Sequence, residues 1–240
     1  MRATKPRVTK LLYGFRSAST WICIVIGLST LLYVTIPEAL SASQIDNHSI
    51  SIFINRNTKT LFIINDGVAV DKMPCGIGRG GLKTKTSMLD SVTPTGQFEV
   101  DIILSKRKNQ NSSSDAIRRR YKDTPFTEYV TSGAGMERLF NNMNAIDFNK
   151  DGKPDDAYGA AYIGLDSDES ITGPKMKYYN GMPYWFSIAI HGTNDEANIG
   201  KANSGGCIHL RKDDLERILN AGFAKIGTKV TISDSDPDIH

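Results

Sequence analysis

Cysteine is scarce in this 240-residue chain, which has only Cys23, Cys75 and Cys207. No CxxC pair and no Cys/His spacing of a zinc site occurs, so a structural zinc module is excluded. A domain of this size does not need a disulfide to be stable, yet a Cys75–Cys207 bond is the alternative that any catalytic reading of Cys207 must face. Charge imbalance is also small, with 29 Lys+Arg against 26 Asp+Glu for a net +3. Five of those positive charges (Arg2, Lys5, Arg7, Lys10 and Arg16) fall in the first 16 residues, which contain no acid, leaving −2 on the rest. A basic groove for nucleic acid is thereby disfavoured. Internal repeats are absent, and 40% hydrophobic residues suffice for a packed core.

The basic flank 1–16 precedes an uncharged segment, 17–37, whose apolar run extends from Trp21 to Ile36. That pattern fits a signal-peptide core or a short membrane-anchoring helix. Either one sends the rest of the chain outward, because positive charge stays on the cytoplasmic side. Residues 38–48 read as a stem carrying small residues, with no clean Ala-x-Ala cleavage site.

From Ser51 the chain reads as short strands: SIFIN, TLFII and VAVDKMP, with Asp66-Gly67 as a hairpin turn between the second and third. Thr93-Pro94-Thr95-Gly96 introduces another strand, GQFEVDIIL. The segment from about 105 to 180 is polar and basic at its start and reads as an insertion with little strand character. Arg118–Arg120 fit a solvated helix face, with a cap between Ser112 and Asp115. Strand pattern returns at YWFSIAIHG. Leu215, Ile218, Leu219 and Phe223 then share one face of a helix, before the closing strand TKVTI. The pattern predicts a mainly β sandwich or barrel with a minor helix after Cys207, followed by a tail, 234–240.

The stretch Ile190–Leu210 concentrates the chemistry. His191 ends an apolar strand, and Cys207 follows Ser204-Gly205-Gly206 just ahead of the helix. A thiol at a helix N-terminus is biased towards thiolate, a nearby imidazole can take its proton, and glycines let backbone N–H groups approach a reacting carbonyl. The order His then Cys disfavours papain-like hydrolases. The short separation and the Gly-Gly before Cys207 disfavour sortases.

His191-Gly192-Thr193 together with Ser204-Gly205-Gly206-Cys207-Ile208-His209 resembles the L,D-transpeptidase family of bacterial cell-wall enzymes, the YkuD-type catalytic domain. The resemblance spans residues 49–233 and includes the opening strands, the Thr93–Gly96 motif, DLERIL and GTKVTI. Two positions depart from the family pattern: Gly205 stands where a His is usual, and His209 where an Arg is usual. The resemblance implies an exported cell-envelope enzyme that requires no cofactor and acts on peptidoglycan stem peptides. In this reading Cys207 is the nucleophile and His191 the base, with Gly192, Ser204, Gly205 and Gly206 in support. His209, Arg211, Tyr178 and Tyr179 become substrate-binding candidates. The implied product is a 3→3 cross-link made through a thioester. Water as acceptor would instead make an L,D-carboxypeptidase, and loss of activity a wall-binding protein.

One further motif, Asp147 to Asp156, places Asp147, Asn149 and Asp151 at alternate positions, then Gly152 and Asp155. Such spacing can converge oxygens on a structural Ca2+, although Tyr158 occupies the place of the closing Glu of an EF-hand. A solvated Asp-Gly turn is the competing reading.

Overall fold

Strands β1 (Ser51–Asn55), β2 (Thr60–Asn65) and β3 (Val68–Pro74) form an antiparallel meander. Asn65 pairs with Val68 across Asp66-Gly67, both of which have positive φ (50° and 78°). Such backbone suits the right-handed strand twist, and glycine adopts it without steric cost. The computed structural model describes residues 49–238. The expected basic flank, apolar helix and most of the stem lie outside them. Among the described residues no helix is long and apolar enough to cross a membrane.

After β4 (Ile77–Gly78) comes the ten-residue β5 (Gly96–Ser105), on which β6 (Ser112–Ser113) pairs. Ser114 caps α1 (Asp115–Arg120) by accepting the Ile117 N–H, as the sequence predicts. Helices α2 (Thr127–Thr131) and α3 (Gly133–Asn144) follow. Then come β7 (Ala161–Leu165), α4 (Glu169–Thr172) and a hairpin of β8 (Met176–Tyr179) and β9 (Met182–Trp185). The chain closes with β10 (Ala189–His191), β11 (Ala202–Ser204), β12 (Ile208–His209), α5 (Lys212–Asn220) and β13 (Lys229–Ser233).

The main sheet runs β12-β10-β7-β5-β13-β1-β2-β3. Its middle strand, β5, pairs with β13 through its first half and with β7 through its second, with a bulge between Val100 and Ile102. Bulges bend and twist a strand, and here the sheet curls. Leu61 and Ile63 from one end of the sheet and Ile190 and Ile208 from the other consequently meet in one core, which α5 covers with Leu215 and Ile218. Leu219 packs against that core, as the helical spacing predicts. Phe223 also belongs to it, but lies beyond the end of α5 at Asn220 and enters from the turn that follows rather than from a helix face.

The fold is mainly β, as expected, but the helical content is larger than one minor helix. The expectation of little strand character in 105–180 also needs correction: β7 lies inside the sheet between β5 and β10, and all five of its residues are buried. Helices α1–α3 pack on the opposite sheet face. There Ile117, Val130, Met136, Leu139, Phe140 and Met143 join Ile102, Leu104, Tyr162 and Trp185 in a second core. Met136, Leu139, Phe140 and Met143 recur at i, i+3, i+4 and i+7, which turns one face of α3 inward.

Leu139 is fully buried in this second core. Replacing it with Ala should cost about 3 kcal/mol through lost burial and the cavity left behind. In urea unfolding the midpoint should fall with an unchanged slope.

Candidate active site

Two strand residues set the geometry. β10 and β12 are parallel neighbours, pairing Ile190 with Ile208 and His191 with His209, and the Leu210 N–H continues the ladder to the His191 carbonyl at 2.9 Å. Register partners point the same way and successive residues alternate. Ile190 and Ile208 enter the first core, so Cys207, His209, Ala189 and His191 face the other side. Cys207 there packs against the second core, of which Ala189 is a member, and the imidazoles of His191 and His209 lie 4.6 Å apart. His191 is also stacked on Tyr162 at 5.7 Å and tilted against Tyr158 at 4.9 Å.

His191 Nδ1 lies 2.6 Å from the Gly192 carbonyl. A carbonyl only accepts, so Nδ1 carries the hydrogen and Nε2 of the neutral ring is left as an acceptor. The Cys207 thiol donates to the Ser187 carbonyl at 3.6 Å. The Tyr162 hydroxyl donates to the same carbonyl at 2.8 Å and accepts the Ser187 N–H at 3.0 Å. Trp185 Nε1 donates to Ser187 Oγ at 3.2 Å. These bonds fix Ser187, which the sequence did not single out.

Burial dominates the electrostatics. It pushes the Cys207 thiol up to about 11, opposed by backbone hydrogen bonding at Ala189 and by the charge of Lys85. Burial, reinforced by His209, holds His191 well below the ordinary histidine value, and the Gly192 hydrogen bond acts against that. His209 falls to about 4, mainly through burial, with Asp195 opposing. The resting site is therefore a neutral thiol beside a neutral imidazole. The expected helix-terminus effect does not operate, because β12 and Leu210 separate Cys207 from Arg211, the cap of α5.

A single short segment pins both ends of the turn carrying Cys207. Ile77 and Gly78 pair with Ala202 and Ser204, while Gly76 exchanges two backbone hydrogen bonds with His209, at 2.9 and 3.0 Å. Within the turn Ser204 Oγ donates to the Cys207 carbonyl at 2.6 Å and accepts the Gly206 N–H at 3.1 Å. That second bond commits the Gly206 N–H within the turn. The Cys207 N–H makes no hydrogen bond among the described residues.

A family model for the L,D-transpeptidase catalytic domain (YkuD) matches residues 49–232. The chain belongs to this family. Two Bacillus subtilis proteins whose names carry the L,D-transpeptidase assignment are similar to it over part of their length. YqjB is 34% identical over 85 residues, 35% of this chain and 40% of that protein. YkuD is 44% identical over 55 residues, 21% and 32% respectively. Both matches thus cover well under half of either chain. Among solved structures, the helical cell shape determining protein Pgp2 from Campylobacter jejuni aligns at 14% identity and a TM-score of 0.44, covering 78% of this chain and 48% of that one. Bd1075 from Bdellovibrio bacteriovorus aligns at 17% identity and a TM-score of 0.41, with 77% and 48% covered.

Several residues tied to the L,D-transpeptidase resemblance lie away from Cys207. Arg211 is exposed and makes no side-chain hydrogen bond or ion pair among the described residues, so it does not replace the family's arginine by direct contact with His191 or Cys207. Tyr178 is exposed on the β8–β9 hairpin against Phe126, with ring centres 5.5 Å apart, and Tyr179 is half-buried beside it. Cys75 is unbonded and buried in the first core, where burial raises its thiol to about 12. Cys207, on the opposite sheet face, is likewise unbonded. The basic stretch is largely paired with acids, as in Lys106–Asp156, Arg107–Glu216 and Arg120–Glu169.

In the 147–155 loop the oxygens serve the loop itself. Asp147 accepts the Asp151 and Gly152 N–H groups, Asp155 accepts those of Phe148 and Asn149, and Asn149 Nδ2 donates to Asp151 and Asp155. Among the described residues no group of three or more His, Cys, Asp or Glu is arranged to hold a metal ion.

The depressed histidines give the fold an acid sensitivity. The unfolded chain binds protons near 6.5 and the folded His209 only near 4, so stability is full above 6.5 and lost as pH falls across that window. Thermal unfolding should show a melting temperature that declines from pH 6.5 to 4, and His209→Asn should flatten the decline.

Proposed function

We propose that this chain is a peptidoglycan L,D-transpeptidase that works through a thioester on Cys207. The observation that supports this best is the β10–β12 register, which puts the thiol and the imidazole on one sheet face with Nε2 of His191 open as an acceptor. Because both groups rest neutral, the proton leaves sulfur as substrate arrives rather than beforehand. His191 Nε2 takes that proton, and the thiolate attacks the carbonyl of the third stem-peptide residue, typically a diaminopimelate. The Cys207 N–H donates to the oxyanion, while the imidazolium returns its proton to the departing D-alanine amine. In the second half, His191 accepts a proton from the attacking amine of another stem peptide. The thioester collapses to a 3→3 amide and the sulfur regains its proton.

Other groups have supporting parts in this reading. The β8–β9 hairpin leads directly into Ser187 and is anchored to α3 by the Asn142 amide donating to the Pro183 carbonyl at 2.8 Å. It offers Tyr178 and Tyr179 to the donor peptide, and His209 borders the imidazole. Such a substrate places the enzyme in the cell envelope, with the 17–37 segment as its export signal or anchor. The chemistry needs no cofactor. A Ca2+ ion at Asp147, Asn149, Asp151 and Asp155 would act on stability alone, which thermal unfolding with and without a chelator reads.

Incubation of the purified chain with a tetrapeptide donor or a carbapenem should give a mass adduct that peptide mapping places on Cys207. Cys207→Ala should form none. A Cys207→Ala protein that still makes cross-links would sink the proposal. Product analysis with and without an amine acceptor separates transpeptidase from carboxypeptidase chemistry.

A further inference from the structure

The nucleophile has a reactivity problem. Its sulfur is raised by burial, no helix N-terminus reaches it, and Arg211 is exposed and makes no ion pair among the described residues. The titratable groups packed around it are the phenols of Tyr158, Tyr162 and Tyr184 and the imidazoles of His191 and His209. None is a cation at rest: the phenols are held protonated by burial and the imidazoles are held neutral by it.

One cation does stand behind the turn. Lys85 belongs to the loop between β4 and β5, and its side chain is only 3% exposed. Nζ donates to the Val92 carbonyl at 2.9 Å and to Asp90 Oδ1 at 3.0 Å. An ammonium has three donors, and the third has no partner among the described residues. Lys85 Nζ lies 3.4 Å from where a Cβ on Gly206 would stand, and the Val92 carbonyl lies 3.0 Å from it. Gly206, at φ +127°, thus supplies both the unusual backbone and the empty space that let the ammonium abut the residue before the nucleophile. The Asp90 carboxylate meets Lys85 through one hydrogen bond to Oδ1 and otherwise accepts N–H groups from Thr86, Ser87 and Val92. Those bonds fix it in place and leave the rest of the ammonium free to face the turn. A buried ammonium one hydrogen bond short gains most when negative charge develops beside it.

We infer that Lys85 is the positioning cation of this site: held against Gly206 by Val92 and Asp90, it stabilises negative charge at Cys207 in place of the cation that His209 lacks. The inference rests on Cys207 being the nucleophile of the proposed transpeptidase, but it can be read without any cell-wall substrate. It also gives Gly206 a purpose beyond oxyanion geometry.

The test is the rate of Cys207 alkylation by iodoacetamide, followed by peptide mapping on the full chain between pH 7 and 9, where rate tracks the thiolate fraction. Removing a nearby opposite charge should raise the thiol by about one pH unit or more, which slows alkylation of Lys85→Met about tenfold at each pH. Lys85→Arg should restore most of the rate. Asp90→Asn, which frees the ammonium of its counter-charge, should accelerate it. A merely structural lysine predicts otherwise: a folded Lys85→Met, checked by thermal unfolding, would alkylate at the wild-type rate or faster as the turn loosens. That result overturns the inference. If Lys85→Met does not fold, Asp90→Asn decides, since an unchanged rate there also overturns it. Absence of an acyl-enzyme with intact Lys85 dependence would count against the transpeptidase reading and leave Lys85 in place.

Discussion

Everything at this site depends on two residues of parallel pairing. β12 is only Ile208 and His209, yet its register against β10 decides which face of the sheet Cys207 occupies. A slip of one residue would turn the thiol into the first core and bring Ile208 out beside His191. What prevents the slip is apolar burial on the far side. Ile190 and Ile208 are fully buried in the first core, and Leu210 follows them there. The hydrophobic effect on one face thus fixes the chemistry on the other. Gly76 to Gly78 secures the same register from the opposite edge, because one extended segment pairs with the strands on both sides of the Cys207 turn.

The segment expected to be a strand-poor insertion turns out to shape the reaction medium. It supplies β7 and the α1–α3 layer, and with them Tyr158, Tyr162 and the wall that dehydrates thiol and imidazole alike. Desolvation disfavours whichever form is charged, so it drives the two pKa values apart and leaves the proton on sulfur. A site of this kind depends on bound substrate and preorganised dipoles to create its nucleophile. In the proposed reaction the Ser187 carbonyl, which holds the resting thiol, must release it as the proton leaves sulfur.

Local rules made part of this legible in the sequence. Asp66-Gly67 specified its hairpin, Ser114 its cap, and Leu215 and Ile218 the buried face of α5. The His191 and Cys207 motifs pointed to the candidate site because both chemistry and chain order are compressed into the short stretch Ile190–Leu210. Other features were hidden for physical reasons. β7 reads AYIGL, a short buried run amid glycines and acids that lacks the alternation of a half-exposed strand. Helix α3 opens with Gly133 and Gly135, poor helix formers, and its face is set by packing on the sheet. The helix-dipole argument failed because sheet pairing captured Ile208 and His209, which adjoin a good helix pattern, and long-range hydrogen bonds are invisible to local propensity.

Lys85 illustrates the deepest limit. Nothing in KTKTSMLD distinguishes it from Lys83 nearby, and a lysine in a polar loop is ordinarily a solvated one. Its burial comes from contacts distant in sequence. The loop is held down by Arg56, whose guanidinium reaches the carbonyls of Leu82, Lys83 and Thr93 and pairs with Asp234. Thr93 in turn accepts the Gly78 N–H on its hydroxyl at 2.8 Å. This chain of bonds runs from the closing segment of the fold, through the Thr93–Gly96 motif, to β4, the strand that pins the Cys207 turn. The motif's first threonine is therefore a structural coupler. Conformational freedom in the loop ahead of β5 is converted by these bonds into a fixed charge behind Cys207. A family arginine beside the nucleophile and a lysine delivered from a distant loop meet the same requirement, a cation next to a desolvated sulfur, and the requirement is what the fold has to satisfy.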